Sequence, residues 1–139
     1  MACTMDEAAD PPEHPGTDHR AAEERIRQAR AEAAGLADSL MRQWDGVVEA
    51  AALTANDDEH DPEGPTIAYE RERLQAMREH VRGELTDLDR AAQRLRDGVY
   101  WTCEGCGGPI AAARLSARPT ARTCIGCASP STAQTRYRR

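Results

Sequence analysis

The chain has 139 residues and a net charge of −6, with 24 acidic residues, 18 arginines and no lysine. It contains no phenylalanine and only two tryptophans and three tyrosines, which argues against a large globular core. Its apolar runs are too short to span a membrane, and its acidic character would repel DNA phosphates along most of its length.

Residues 1–17 are polar, contain proline and show no periodicity, which predicts a disordered acidic tail. The same residues lack the basic start and the apolar run of a signal peptide, so we expect a reducing, cytoplasmic setting.

From Asp18 to about residue 53, apolar residues recur at alternating steps of three and four, the pattern of a helix with a heptad seam. The predicted seam, widened by Met41, Trp44 and Val48, consists of Ile26, Ala29, Ala33, Leu36, Leu40, Gln43 and Val47. Thr17 or Asp18 is expected to cap the start of this helix.

The segment 56–65 interrupts the pattern, because its prolines and its glycine forbid a continuous helix. A second heptad run starts near Thr66, the expected N-cap, and stops at Asp97-Gly98. Its predicted seam consists of Ile67, Leu74, Met77, Val81, Leu88, Ala91 and Leu95.

Two long helices joined by a short loop pack antiparallel. The predicted fold is therefore dominated by α-helix: an antiparallel coiled-coil hairpin over residues 18–97 with an acidic tip at 56–65. A compact helical bundle is the alternative, but there is no third apolar helix to complete it. We expect a monomer, because the apolar seam of each helix is buried against the seam of the other helix.

Four cysteines follow the hairpin. Cys103 and Cys106 form one C-x2-C pair, and Cys124 and Cys127 form a second after 17 intervening residues. This spacing predicts one structural zinc ion held by four thiolates, with no open position for a substrate. Two disulfides are the alternative, which the expected reducing compartment disfavours.

A zinc-finger module is predicted over residues 98–128, with a short turn or helix between the cysteine pairs whose Ile110 and Leu115 cover the metal. Residues 129–139 end in Arg-Tyr-Arg-Arg and are predicted to form a basic disordered tail.

The run from Tyr100 to Cys127 resembles the zinc finger of the DksA/TraR family of bacterial transcription regulators. The resemblance lies in the two cysteine pairs, in Pro109-Ile110 and in the segment Arg114-Leu115-x-Ala117-Arg118-Pro119. It implies a regulator that binds RNA polymerase directly, is not an enzyme, and inserts its coiled-coil tip into the secondary channel.

The resemblance also implies that tip carboxylates lie near the catalytic centre of the polymerase. The family's D-x-x-D-x-A pattern is matched by Asp58 and Asp61, although Glu63 replaces the alanine, and Asp57 offers a second frame. Some members respond to ppGpp through basic residues of the second helix. Here that stretch includes His80, Glu84 and Asp87, which predicts no strong ppGpp dependence.

Two other functions remain open from the residues alone. A zinc-ribbon DNA-binding protein would use Arg114, Arg118, Arg122 and the basic tail, although we expect no sequence-specific DNA binding from an acidic chain without a recognition helix. A Gre-like factor would assist transcript cleavage by holding Mg²⁺ with its tip carboxylates.

Overall fold

The computed structural model describes residues 15–54 and 64–129. These residues form four helices, α1 (Pro15–Thr54), α2 (Gly64–Arg96), α3 (Ala112–Ala117) and α4 (Ile125–Ala128), and one isolated bridge between Thr102 and Pro109. The chain divides into two compact units. Of the described residues, one unit contains 15–28 and 87–129, and the other, termed the unit of residues 29–86, contains 29–54 and 64–86. Among the described residues, no helix is long and apolar enough to cross a membrane.

Helix α1 has 40 residues and starts three positions earlier than the sequence pattern predicts. Pro15 is its first residue, a position that tolerates proline because the missing N–H would have no partner inside the helix. Asp18 lies in the first turn, where its negative charge complements the helix dipole. The predicted capping role of Thr17 or Asp18 is therefore wrong.

Helix α2 has 33 residues and starts at Gly64, so Thr66 lies inside its first turn and is not its N-cap. Its end was predicted correctly. Gly98 adopts a positive φ of 76°, the N–H of Gly98 bonds to the carbonyl of Leu95, and the N–H of Val99 bonds to that of Arg94. This pair of bonds is a Schellman motif, which stops a helix at a residue with left-handed backbone conformation.

The unit of residues 29–86 is an antiparallel pair of helical segments. Its buried apolar side chains are Ala33 and Leu40 from α1 and Leu74 and Val81 from α2. These residues recur at intervals of seven, so the heptad pattern identified the core of this unit correctly. The late α1 residue Trp44 packs near the early part of α2, as an antiparallel arrangement requires.

Three residues of the predicted seams are exposed, namely Leu36, Gln43 and Met77. Leu36 is 44% exposed and Met77 is 37% exposed, while their neighbours Ala37 and Arg78 are half-buried. The buried side of α1 therefore runs through Ala33, Ala37, Leu40, Trp44 and Val47. This line also alternates steps of four and three, so the heptad repeat through Ala33, Leu40 and Val47 is kept. The second position of each repeat lies four residues after the first, at Ala37 and Trp44, and not three residues after it, as predicted.

The other unit combines the start of α1, the end of α2 and the cysteine-rich segment. Its buried residues are Ala22 and Ile26 of α1, Ala91, Leu95 and Leu88 of α2, and Tyr100, Cys103, Ile110, Leu115 and Ala121. The rings of His19 and Trp101 lie 6.3 Å apart, and Tyr100 meets Trp101 edge-on at 5.3 Å. The seam prediction missed Ala22.

Candidate metal centre

The two cysteine pairs meet at one point. The sulfur atoms of Cys103, Cys106, Cys124 and Cys127 all lie within 4.8 Å of one another. A tetrahedral zinc ion with zinc–sulfur bonds of about 2.3 Å requires sulfur atoms about 3.8 Å apart. The separation between the Cys106 and Cys124 sulfurs is 3.9 Å, so the arrangement fits one structural zinc ion.

Backbone amides surround the most buried of these sulfurs. The N–H groups of Gly105 and Cys124 donate to Cys103 Sγ over 3.3 and 3.2 Å. One donor comes from each cysteine pair, so this sulfur links the two turns that carry the ligands. Hydrogen bonds to a sulfur stabilise its negatively charged form and fix its position.

The charge state of Cys103 suits a metal ligand. Burial raises the pKa of its thiol, but hydrogen bonds from the backbones of Cys124, Cys106 and Gly105 and from the Cys106 side chain outweigh that effect and lower the pKa to about 6. The thiolate is the form that binds a metal, so the fold prepares this ligand at neutral pH.

The first knuckle is closed by backbone contacts. The N–H of Gly107 bonds to the carbonyl of Cys103, and the N–H of Cys103 bonds to the carbonyl of Gly108. Gly107 has a φ of 72°, which glycine adopts without strain. At Gly105 the constraint is space, because an added Cβ would lie 3.0 Å from Cys127 Sγ.

Arg94 of α2 braces this module, a role that the sequence pattern did not predict. Its guanidinium donates to the carbonyl oxygens of Val99, Thr102 and Ala121 over 3.1, 2.7 and 3.4 Å. Its Nε lies 3.5 Å from a carboxylate oxygen of Glu104, and the Arg94 side chain is only 12% exposed. One helix residue therefore holds the two segments that lead into the two cysteine pairs.

The segment between the cysteine pairs supports the same module from inside. Arg114 Nε donates to the carbonyl of Thr123 over 2.8 Å, next to Cys124, and Leu115 is fully buried. The hydroxyl of Tyr100 donates to the carbonyl of Pro119 over 2.9 Å. Ile110 and Leu115 are both buried, while their predicted role of covering the metal stays a prediction. The segment between the cysteine pairs therefore contributes to the core of the module.

The predicted tip residues are not among the residues that the structure describes. Asp57, Asp58, Asp61 and Glu63 fall in the stretch 55–63 and lie outside the described residues.

Comparison with known proteins starts with the cysteine-rich segment. Residues 98–133 match the prokaryotic dksA/traR C4-type zinc finger. The match includes all four cysteines and the segment between them. Together with the sulfur geometry, it identifies one structural zinc ion as the cofactor.

Two relatives are similar over stretches longer than the matched zinc-finger segment. The RNA polymerase-binding transcription factor DksA of Caulobacter vibrioides is 48% identical over 44 residues, which cover 32% of this chain and 31% of that protein. General stress protein 16O of Bacillus subtilis is 34% identical over 77 residues, which cover 55% of this chain and 47% of that protein. The chain thus matches less than half the length of the curated relatives.

A solved structure matches most of the fold. The structure of transcription factor DksA2 from Pseudomonas aeruginosa aligns with a TM-score of 0.73 over 88% of this chain and 89% of that one, at 20% sequence identity. At this identity the likeness shows the fold. It confirms the predicted helical hairpin followed by a four-cysteine module.

Proposed function

We propose that this chain is a member of the DksA/TraR family of zinc-finger proteins, and that it binds bacterial RNA polymerase directly and regulates transcription initiation. The observation that carries the proposal is the combination of a DksA-type fold over most of the chain with a matching zinc finger. Either feature alone would be compatible with other functions. We propose a cytoplasmic, monomeric protein, since its partner would be the transcription machinery.

In the proposed mechanism the zinc module has a structural and docking role. A site with four thiolate ligands has no open position, so the metal holds the module together and catalyses nothing. We assign Cys103, Cys106, Cys124 and Cys127 as its ligands, on the closeness of their sulfurs. The braces from Arg94 and Arg114 fix the module to the end of α2 and to its own second knuckle.

The tip has the active role in this proposal. The sequence between α1 and α2 contains Asp57, Asp58, Asp61 and Glu63, carboxylates that the hairpin would carry into the secondary channel of the polymerase. There they would pair with basic side chains or alter the coordination of the catalytic Mg²⁺. The protein would thereby change the lifetime of promoter complexes without being an enzyme, and without needing ppGpp.

Direct DNA binding is less well supported. Of the arginines that a zinc-ribbon DNA reader would use, Arg114 is bonded to a backbone carbonyl and Arg122 lies 3.7 Å from a carboxylate oxygen of Glu104. Two of the expected phosphate-binding groups are therefore engaged inside the module. A Gre-like role in transcript cleavage has no observation of its own in its favour.

The first experiment tests the partner. Purified zinc-loaded protein should co-elute with core RNA polymerase and should not shift duplex DNA in a gel. A DNA shift without polymerase binding would favour the zinc-ribbon alternative. Cleavage of the transcript in a stalled, backtracked complex would favour the Gre-like one.

The second experiment tests the tip. Replacing Asp58 and Asp61 together by asparagine removes two charges but preserves size and polarity. We expect polymerase affinity to stay within about tenfold, about 1.4 kcal/mol, because two residues of a short segment contribute little contact area. The effect on promoter-complex lifetime should be largely lost. Full regulation by this variant in transcription assays would exclude these two residues, leaving Asp57 and Glu63 for the same test.

A further inference from the structure

One side of the unit of residues 29–86 presents an aromatic ring beside two guanidinium groups. Arg71 Cζ lies 5.6 Å from the centroid of the Trp44 ring, and Arg78 Cζ lies 5.0 Å from it. Met41 and Val48 are three and four residues from Trp44, so helical periodicity places them on the same side of α1. We term these five residues the Trp44 face.

The Trp44 face is more open to solvent than packing of the two helices requires. Met41 is 50% exposed, Val48 is 42% exposed, and Trp44 itself is only half-buried. Exposed apolar groups beside an aromatic ring are typical of surfaces that meet a partner.

The two guanidinium groups differ from a neighbouring arginine in their ion pairing. Among the described residues, no carboxylate lies within ion-pair distance of Arg71 or Arg78, whereas Arg73 on the same helix is paired with Glu70 at 3.1 Å. Arg78 makes one weak contact, from Nη2 to the sulfur of Met41 at 3.9 Å. Most of their N–H donors are therefore available to a partner.

The charge of the surroundings identifies the chemistry of that partner. Residues 29–86 contain 13 acidic residues and six arginines, so an acidic partner would be repelled over most of this unit. At the Trp44 face it would meet two positive charges and no described carboxylate in contact with them. This contrast favours an acidic partner at this one place and fixes its orientation.

We propose that the Trp44 face is a docking surface for an acidic segment of RNA polymerase that also presents an apolar side chain. The inference rests on the proposed function and adds the chemistry of the contact. Arg71 and Arg78 are seven residues apart, about 10 Å along α2, and each can donate a forked pair of hydrogen bonds to one carboxylate. Stacking on Trp44 holds the guanidinium groups in place before binding.

A nucleic acid fits this surface less well. Its phosphates continue beyond the two arginines and would meet the acidic remainder of the unit. The apolar Met41 and Val48 give phosphates nothing to bind, but they suit a protein side chain. A short acidic stretch of polypeptide can bind both the arginines and the apolar residues of the Trp44 face.

The test compares two double variants of the full-length, zinc-loaded protein. Arg71→Gln with Arg78→Gln removes two charges from the Trp44 face. Arg42→Gln with Arg73→Gln removes two charges from exposed positions outside it. Binding to core RNA polymerase is measured with and without a DNA–RNA scaffold, and thermal unfolding by circular dichroism checks that both variants are folded.

We expect the Trp44-face variant to bind the polymerase at least about tenfold more weakly, and the control variant to stay within about twofold. Equal binding by the wild type and the Trp44-face variant would overturn this inference but leave the proposed function standing. If the wild type does not bind the polymerase, both fail together. A loss that occurs only with the nucleic-acid scaffold present would show a phosphate contact and also overturn the inference.

A second measurement does not depend on these substitutions. A photo-crosslinking amino acid at Met41 should capture a polymerase peptide that contains aspartate or glutamate. Crosslinks to nucleic acid, or only to peptides without acidic residues, would contradict the proposal even if the arginine variants bind weakly.

Discussion

The helical unit of residues 29–86 and the cysteine-rich module bury their apolar residues by different means. In the helical unit, leucine, valine and alanine side chains from two long helices fill one continuous line. The module has only two short helices, of six and four residues, and a few buried apolar side chains. Its shape depends on four converging sulfurs and on hydrogen bonds to backbone carbonyls.

This difference shows what each part needs in order to fold. About 30 residues with so few apolar groups cannot offset their conformational entropy through burial alone, so the module needs its metal. The helices need no metal, because amphipathic packing stabilises them. Zinc removal and core substitution should therefore affect different parts of the molecule.

Loss of zinc should have the largest effect on stability, and the unfolding that it causes should be confined to the module. Structural zinc contributes about 10–16 kcal/mol of apparent binding free energy, so Cys106→Ser or Cys124→Ser should unfold residues 99–127. Helices α1 and α2 contain 40 and 33 residues, so most of the far-UV circular dichroism signal should remain.

Elemental analysis should find one zinc per chain in the wild type and in a Cys3→Ser control, and much less in the two module variants. Zinc-free wild-type protein with an unchanged module, judged by amide hydrogen exchange, would contradict the contrast between the two parts.

A charge in the helical core should give the next largest effect. Leu40 is 1% exposed and Leu36 is 44% exposed on the same helix, so they form a matched pair. Leu40→Asp should lower the free energy of unfolding of the hairpin by about 3 kcal/mol or more, because a buried unpaired charge is costly. Leu36→Asp should cost much less.

Urea unfolding followed by circular dichroism measures both variants, and zinc content should stay at one ion per chain. Similar costs at the two positions would mean that Leu36 is buried in solution. If light scattering shows that the wild type is a dimer and that Leu40→Asp dissociates it, the proposed monomeric state is wrong. The seams would then form an intermolecular coiled coil.

The same pair of residues shows how far the sequence could predict this fold. Heptad spacing identified both long helices, and the cysteine spacing identified the metal centre. The heptad pattern then favoured Leu36 over Ala37, because leucine is the more apolar residue. Positions three and four residues after Ala33 fit a heptad equally well, and in the structure Ala37 is the more buried of the two. Spacing cannot reveal the role of Arg94, because its partners are backbone carbonyls brought together only by folding.

A methyl group beside a metal ligand should give a smaller effect. In Gly105→Ala the new Cβ would lie 3.0 Å from Cys127 Sγ, so the sulfur or the knuckle must shift. We expect zinc affinity to fall roughly tenfold, as for other changes next to metal ligands. Competition with a chromophoric chelator measures the affinity.

Gly83→Ala is the control from the helical unit, where nothing lies within 4 Å of the added Cβ. It should leave zinc affinity unchanged and stabilise α2 by about 0.5–1 kcal/mol, because alanine favours helix. Unchanged zinc affinity in Gly105→Ala would show that the knuckle adjusts without cost.

Removing one hydroxyl from the module should give the smallest effect. Tyr100 is fully buried, and its hydroxyl donates to the carbonyl of Pro119 over 2.9 Å. Tyr100→Phe should lower the free energy of unfolding by about 1 kcal/mol, the usual contribution of one hydrogen bond. Tyr69→Phe is the control, since that ring is 68% exposed.

Alkaline pH should separate the role of this hydroxyl from simple loss of packing. Burial raises the pKa of Tyr100 above its ordinary value of 10.0, although the positive charges of Arg25 and Arg94 act in the opposite direction. The unfolded chain therefore releases this proton first, so the stability of the module should fall as the pH rises above about 10. Tyr100→Phe should remove that part of the decline, because phenylalanine has no proton to release.

Unfolding followed by fluorescence in a Trp44→Phe background measures this effect, because Trp101, which meets Tyr100 edge-on, is then the sole tryptophan. The zinc-loaded proteins are compared at pH 8 and at about pH 10.5. The loss of stability between these values should be smaller in Tyr100→Phe than in the parent and in Tyr69→Phe. An equal loss in all three would show that ionisation of Tyr100 does not limit the module at high pH, and that groups closer to the metal set its alkaline stability.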